Sequence, residues 1–175
     1  MHYIALLRGI NVSGKNKLPM ADLRALCERL GWQNVQSYIQ SGNLRFELER
    51  SEGAASALSV AIKQEFGYEV PVLVRPQAYF QERLQNPFLE EDRALELKAL
   101  HATFLATSPT ATQITALKAK DHKGDQWTVV NDCVYLYCPN GYGRTKLTNK
   151  YLEKNLGAVA TTRNWRTLNK LARWE

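Results

Sequence analysis

The stretch VQSYIQSGNLRFEL, residues 35–48, decides how this chain folds. Residues 35–40 and 44–48 are two β-prone runs, and Ser41-Gly42 between them is turn chemistry, so the stretch reads as a hairpin. Upstream, residues 2–7 read as a buried strand that runs into the polar, glycine-containing loop RGINVSGKNKLP. Pro19 opens a helix on which Leu23, Leu26, Cys27 and Leu30 make one apolar stripe, and Gly31 is placed to end it. Downstream, Leu58, Ala61, Ile62 and Phe66 mark a second helix ended by Gly67. A strand over residues 70–74 follows, then a short helix carrying Tyr79, Phe80 and Leu84. The first half is therefore β-α-β-β-α-β-α.

The second half repeats that order. A strand over 100–106 leads to a helix over 109–117 with Ile114 and Leu117 inward, and a hairpin follows, 127–130 with 134–138, turning at Asn131-Asp132. The loop PNGYGR precedes a helix from 145 to 156 capped by Gly157, a short strand to Thr162 and a last helix over 164–174. Phe66-Gly67 falls on Leu156-Gly157, and Arg75 falls near Arg163, each just before a helix. The order β-α-β-β-α-β belongs to the ferredoxin-like arrangement, so the expected fold is α+β. Two such units stand in tandem, 1–90 and 91–175, with antiparallel sheets, helices on one face and a junction in residues 86–96.

With 175 residues, 45% hydrophobic and 23% charged, the composition is that of a soluble globular chain. No apolar run is long enough to span a bilayer, and the five apolar residues before Arg8 are too few for a signal sequence, so a cytoplasmic protein with no membrane partner is expected. Cys27, Cys133 and Cys138 are odd in number and form no C-x-x-C, which points to neither a disulfide framework nor a metal site; no cofactor is called for either. His2, His101 and His122 lie beside no nucleophile motif, and His101, within a strand, is expected in a core or edge role.

The formal charge of +6 is unevenly placed. Residues 1–95 balance, and the whole excess lies after them. Between Gly141 and Trp174 stand eight cations and one acid, Glu153, and their spacing makes two stripes: Lys146, Lys150, Lys154, and then Arg163, Arg166, Lys170, Arg173. Trp165, Leu168 and Leu171 or Ala172 form the packing face opposite the second. Such stripes are either solvated helix surface or a contact for phosphate groups.

Gly9 to Asn16 matches the phosphate-loop pattern G-x-x-x-x-G-K-[ST] at seven of eight positions. Asn16 replaces the magnesium-binding hydroxyl, Pro19 delays the helix beyond the lysine, and the hairpin that follows is incompatible with a parallel sheet, which argues against a nucleoside-triphosphatase. A loop with Arg8, Asn11, Lys15, Asn16 and two glycines still suits a small anion, or else is a structural loop whose asparagines cap backbone groups.

Taken together, LRGINVSGKNKLPM, SYIQSGNLRF and TTRNWRTLNKL resemble a bacterial group, the domain-of-unknown-function family 1697, over nearly the whole chain. Ser13 and Ser37 stand where that pattern more often has glycine and threonine. The resemblance implies a tandem, ferredoxin-related α+β fold and brings no established activity. It also implies signature positions at Arg8, Gly9, Asn11, Lys15 and Asn16, at Gln40, Ser41, Gly42 and Asn43, and at Arg163, Asn164, Trp165 and Thr167. The leading expectation is an anionic ligand, whether nucleotide, phosphorylated metabolite or nucleic acid, held in a groove between the halves. Arg8, Asn11, Lys15, Asn16, Ser41, Asn43, Arg144, Lys146, Arg163, Asn164 and Arg166 are its candidate contacts. The alternatives are an enzyme on a small phosphorylated or carboxylated substrate, with Lys15 or Tyr142 as proton donor, and a protein-interaction module. Oligomeric state is not legible.

Overall fold

A computed structural model describes residues 1–89 and 96–175. The chain divides into two compact units, Met1–Gln81 with Trp174–Glu175, and Glu82–Arg173. The expected junction at 86–96 includes residues 90–95, which lie outside the described residues. Each unit carries a four-stranded antiparallel sheet, and the described residues hold six α-helices.

The first unit runs β1 (His2–Leu7), α1 (Met20–Arg29), β2 (Gln33–Tyr38), β3 (Asn43–Glu47), α2 (Ala54–Phe66), β4 (Val72–Pro76) and α3 (Gln77–Glu82), with sheet order β2-β3-β1-β4. β1 is central because its residues 3–7 are buried on both faces, as the unbroken apolar run requires. Pro19 with φ −59° fixes the entry to α1. At the exit Gly31 N–H bonds Glu28 O and Trp32 N–H bonds Cys27 O, with Gly31 at φ +85°, so the glycine sits just past the cap residue Leu30 in a Schellman turn. Trp32 then stacks on Phe46 at 3.8 Å, joining the turn to the core. At the far end of the chain, the Trp174 indole N–H donates to Gln36 Oε1 at 2.8 Å and its carbonyl accepts from Gln77 Nε2.

β2 and β4 are each displaced by two residues from their expected limits. β2 stops at Tyr38 because Ile39 turns the chain at φ +52°, and β4 starts after Pro71 and continues to Pro76. Gly42 closes the hairpin at φ +78°, and its carbonyl accepts from Leu7 N–H.

The second unit runs β5 (Leu100–Leu105), α4 (Ala111–Lys118), β6 (Gln126–Val130), β7 (Cys133–Tyr137), α5 (Asn149–Leu156), β8 (Ala160–Asn164) and α6 (Trp165–Ala172), with order β6-β7-β5-β8. The repeat read from element order extends to detail. Gly67 and Gly157 both end helices in the left-handed region, at φ +75° and +69°. Arg75 and Arg163 both stand fourth in the last strand, and each guanidinium donates to the carbonyl of the residue before it. Arg83 bonds Asp132 at the β6–β7 turn, and Tyr135 Oη donates to Arg83 O.

Four boundaries differ from expectation by two residues or more, among them α4, which begins at Ala111 after its cap Thr110, and β8, which runs on to Asn164. α5 begins at Asn149, not Thr145: Thr148 is its N-cap, accepting from Tyr151 N–H, while the Thr145 hydroxyl donates to Asp125 and accepts from Leu147 N–H. α6 ends at Ala172, two residues early, where the chain leaves for the first unit.

Gly42→Ala is expected to destabilise the protein by about 2–5 kcal/mol, since an alanine there is left-handed and overpacked. Its Cβ would lie 2.7 Å from both Leu7 Cβ and Ile10 Cδ1. Gly53→Ala, at φ +72° with nothing within 4 Å, should cost only about 1–2 kcal/mol. Urea midpoints of the two variants measure the difference.

Candidate functional site

In the first unit the structure brings loop and hairpin together. Asn11 Nδ2 donates to Leu18 O and to Gln40 O, both at 2.9 Å, and Asn11 Oδ1 accepts from Leu18 N–H. Asn16 Nδ2 donates to Gly9 O, and the fully buried Asn43 donates to Tyr38 O and Ser41 Oγ. These amides thus hold backbone in place, which is what a buried or crossing loop needs for its orphan carbonyls. Arg8 is half-buried, and Lys15 stands exposed with no side-chain partner among the described residues. The helix after the loop starts only at Met20 and β1 pairs antiparallel on both sides, so the phosphate-loop architecture is absent here.

In the second unit the expected stripes shorten. Lys146 precedes α5 and its ammonium donates to Asp121 O, leaving Lys150 and Lys154 on the helix. Arg163 is not on a helix at all. It lies buried in β8, donates to Thr161 Oγ1 and Thr162 O, and burial pulls its pKa down to about 10. Its three-residue spacing from Arg166 matched the helical period by coincidence of a strand end. Arg166, Lys170 and Arg173 remain exposed, and Trp165, Leu168, Leu171 and Ala172 are the buried face, as the pattern requires. Arg144 is exposed in a short 3-10 turn. Glu153, the one acid in this region, is spent as an acceptor for Ala160 N–H.

Two of the sequence candidates, Asn164 and Arg166, meet in a cavity of about 580 Å³ lined also by Leu97, Lys98, His101, Trp165 and Asn169. Asn164 closes β8 opposite His101 of β5 and is at the same time the N-cap of α6, accepting from Thr167 N–H at 2.8 Å. That double duty sets the first turn of α6 against the cavity. Arg166 makes no hydrogen bond or ion pair among the described residues. Lys98 pairs with Glu96 at 3.0 Å in the open, and Asn169 is tied to Trp165 O and Arg173. His101 and Trp165 were not legible as lining residues, because only the β5–β8 register places them together; the signal that existed was Asn164-x-x-Thr167, a helix start immediately after a strand.

His101 is buried to 9% exposure, its Nδ1 lies 3.2 Å from Ala99 O, and its ring stacks on Tyr142 at 4.7 Å. His122 is likewise a packing residue, its Nδ1 accepting from the Trp127 indole. The thiols are inert: burial pushes Cys27 and Cys133 up to about 12 and Cys138 to about 11. No group of three or more metal-ligating side chains is assembled among the described residues.

Burial holds both His101 and His122 below the ordinary 6.5. The unfolded chain therefore takes up protons first on acidification, so stability is full above about pH 6.5 and falls as pH drops through that value towards the folded pKa values. Urea midpoints at pH 5 to 8 should show this decline, and His101→Phe should flatten it in part.

Comparison with known proteins agrees with the architecture. Among solved structures, the conserved bacterial protein SP0830 from Streptococcus pneumoniae is similar at a TM-score of 0.72 and 24% identity, over 98% of this chain and 97% of that one, a likeness of fold. No curated protein matches. No helix among the described residues is long and apolar enough to cross a membrane. The model of the family described as "Protein of unknown function (DUF1697)" matches residues 1–135, from β1 through most of β7. The loop 8–18, the hairpin and the two-sheet α+β frame are thus those of a family member, and the chain belongs to DUF1697.

Proposed function

We propose that this is a cytoplasmic binder of an anionic ligand, a nucleotide, a phosphorylated metabolite or a nucleic-acid strand, and that the cavity at the start of α6 takes the anionic group. The observation that carries the reading is the convergence there of the Arg166 guanidinium, unpaired among the described residues, with the N-terminal end of α6, over the buried Trp165. Arginine is suited to phosphate and carboxylate through its planar fork, and the helix end adds N–H groups and a favourable dipole. Arg144, Lys146 and Lys170 outnumber Glu153, the one acid of this stretch, and add a local positive field. Arg8 and Lys15 of the first unit are a separate cationic candidate, with Asn11, Asn16, Ser41 and Asn43 shaping the loop behind them.

The same reading takes each unit as ferredoxin-like. Its support is the β-α-β-β-α-β order and the sheet orders β2-β3-β1-β4 and β6-β7-β5-β8. The enzyme alternative has one foothold, the Tyr142 ring lying on His101 beside the cavity.

A thermal-shift panel of inorganic phosphate, adenosine 5′-monophosphate, glucose 6-phosphate and citrate, with filter-binding titrations of single-stranded RNA and DNA at several salt concentrations, tests it. At least one anion should raise Tm, a saturating ligand at about 100 times Kd adding about 2.7 kcal/mol. Arg166→Ala should abolish the rise and Lys15→Ala leave it. A panel that shifts nothing, together with no retention of either polymer at the lowest salt, overturns the proposal.

A further inference from the structure

The cavity beside α6 also presents a group of opposite hydrogen-bonding sense to Arg166. The Ala99 carbonyl can only accept, so the proton of the neutral His101 ring sits on Nδ1 and Nε2 carries a bare lone pair. That atom makes no hydrogen bond among the described residues, although His101 is 9% exposed. One ring face is covered by Tyr142, stacked at 21° between planes, and His101 is among the residues that line the cavity. Nε2 is not sealed from solvent, since the buried side-chain atom without a partner among the described residues is Asn86 Nδ2, and it is therefore open to a donor from outside the chain.

The other polar side chains of the cavity are already engaged or are donors. Asn164 Oδ1 is taken by Thr167 N–H and Asn169 Oδ1 by Arg173, while Lys98 and Arg166 are donors only. The cavity therefore offers a cationic donor at Arg166 and, at His101, an acceptor that no described group engages, beside the apolar walls of Trp165 and Leu97.

We infer that His101 is the specificity-determining residue of this cavity, its Nε2 accepting a hydrogen bond from a hydroxyl or N–H of a ligand whose phosphate or carboxylate lies against Arg166. The ligand class is thus narrowed from any anion to a hydroxylated or amino-bearing one, of which phosphorylated polyols and nucleotides are the commonest chemistries. The inference rests on the anion-binding reading. Burial of His101 supports it by keeping the ring neutral near pH 7, with Lys98, Arg166 and the Tyr142 ring as the groups that face it.

Two measurements separate its failure from that of the reading beneath it. The first needs no ligand: long-range ¹H–¹⁵N spectra of the free protein should show the Nδ1–H tautomer of His101, and an Nε2–H tautomer would overturn the inference while leaving Arg166 untouched as an anion contact. The second is calorimetric titration with matched probes, glycerol 3-phosphate against propyl phosphate and adenosine 5′-monophosphate against its 2′,3′-dideoxy analogue. The hydroxylated member of a pair should bind about tenfold tighter. His101→Phe, which keeps a stacked ring, should erase that preference and leave the affinity of the other member within about twofold. Equal affinities in the unsubstituted protein, or a preference that survives His101→Phe, overturn the inference alone. If no probe of either pair binds, both the inference and the anion site fall.

Discussion

Both units hang on a strand that has neighbours on both sides. β1 is flanked by β3 and β4, and β5 by β7 and β8, and each carries an unbroken buried run, Tyr3 to Leu7 and Leu100 to Leu105. A strand in that position has its backbone groups paired along both edges, and its side chains leave water on both faces. Everything else is arranged around this. The hairpins β2–β3 and β6–β7 supply one neighbour, the last strand supplies the other, and the helices α1, α2, α4 and α5 pack where the sheets and turns send them. Gly42 shows how tight the arrangement is, because the hairpin end approaches β1 closely enough that a single added methyl has no room.

This frame was legible because its signals are local. An apolar run bounded by a glycine loop, Pro19 before a stripe of leucines, and glycines after Phe66 and Leu156 each act within a few residues. What was not legible depended on partners far along the chain. Thr145 and Thr148 are equally good helix caps by sequence, and the choice falls to Thr148 because Thr145 is claimed by Asp125, twenty residues earlier. Arg163 reads as a helix-face cation until the strand β8 is seen to bury it. His101 looked like a strand histidine and is one; that it also lines a cavity with Asn164 and Arg166 follows only from the β5–β8 register.

The charge asymmetry has the same lesson at larger scale. Eight cations after Gly141 do not act as one surface, since Arg163 is buried and Lys146 and Arg173 are engaged with Asp121 and Asn169. Of the others, Arg166 stands in a concave place. The loop of the first unit teaches the converse. Its asparagines invite a ligand-binding reading by composition, and their amides are occupied in fastening the loop to the hairpin.

The chain's last tryptophan has a consequence for anyone cutting this protein apart. Trp174 belongs with the first unit, where its indole bonds Gln36, its ring meets Tyr38 edge-on and its carbonyl accepts from Gln77. The first unit is therefore discontinuous, and no single scissile point releases it whole. A fragment ending at Gln81 would leave Gln36 and Tyr38 on an edge strand without the cover they have here, baring a template for unwanted strand pairing.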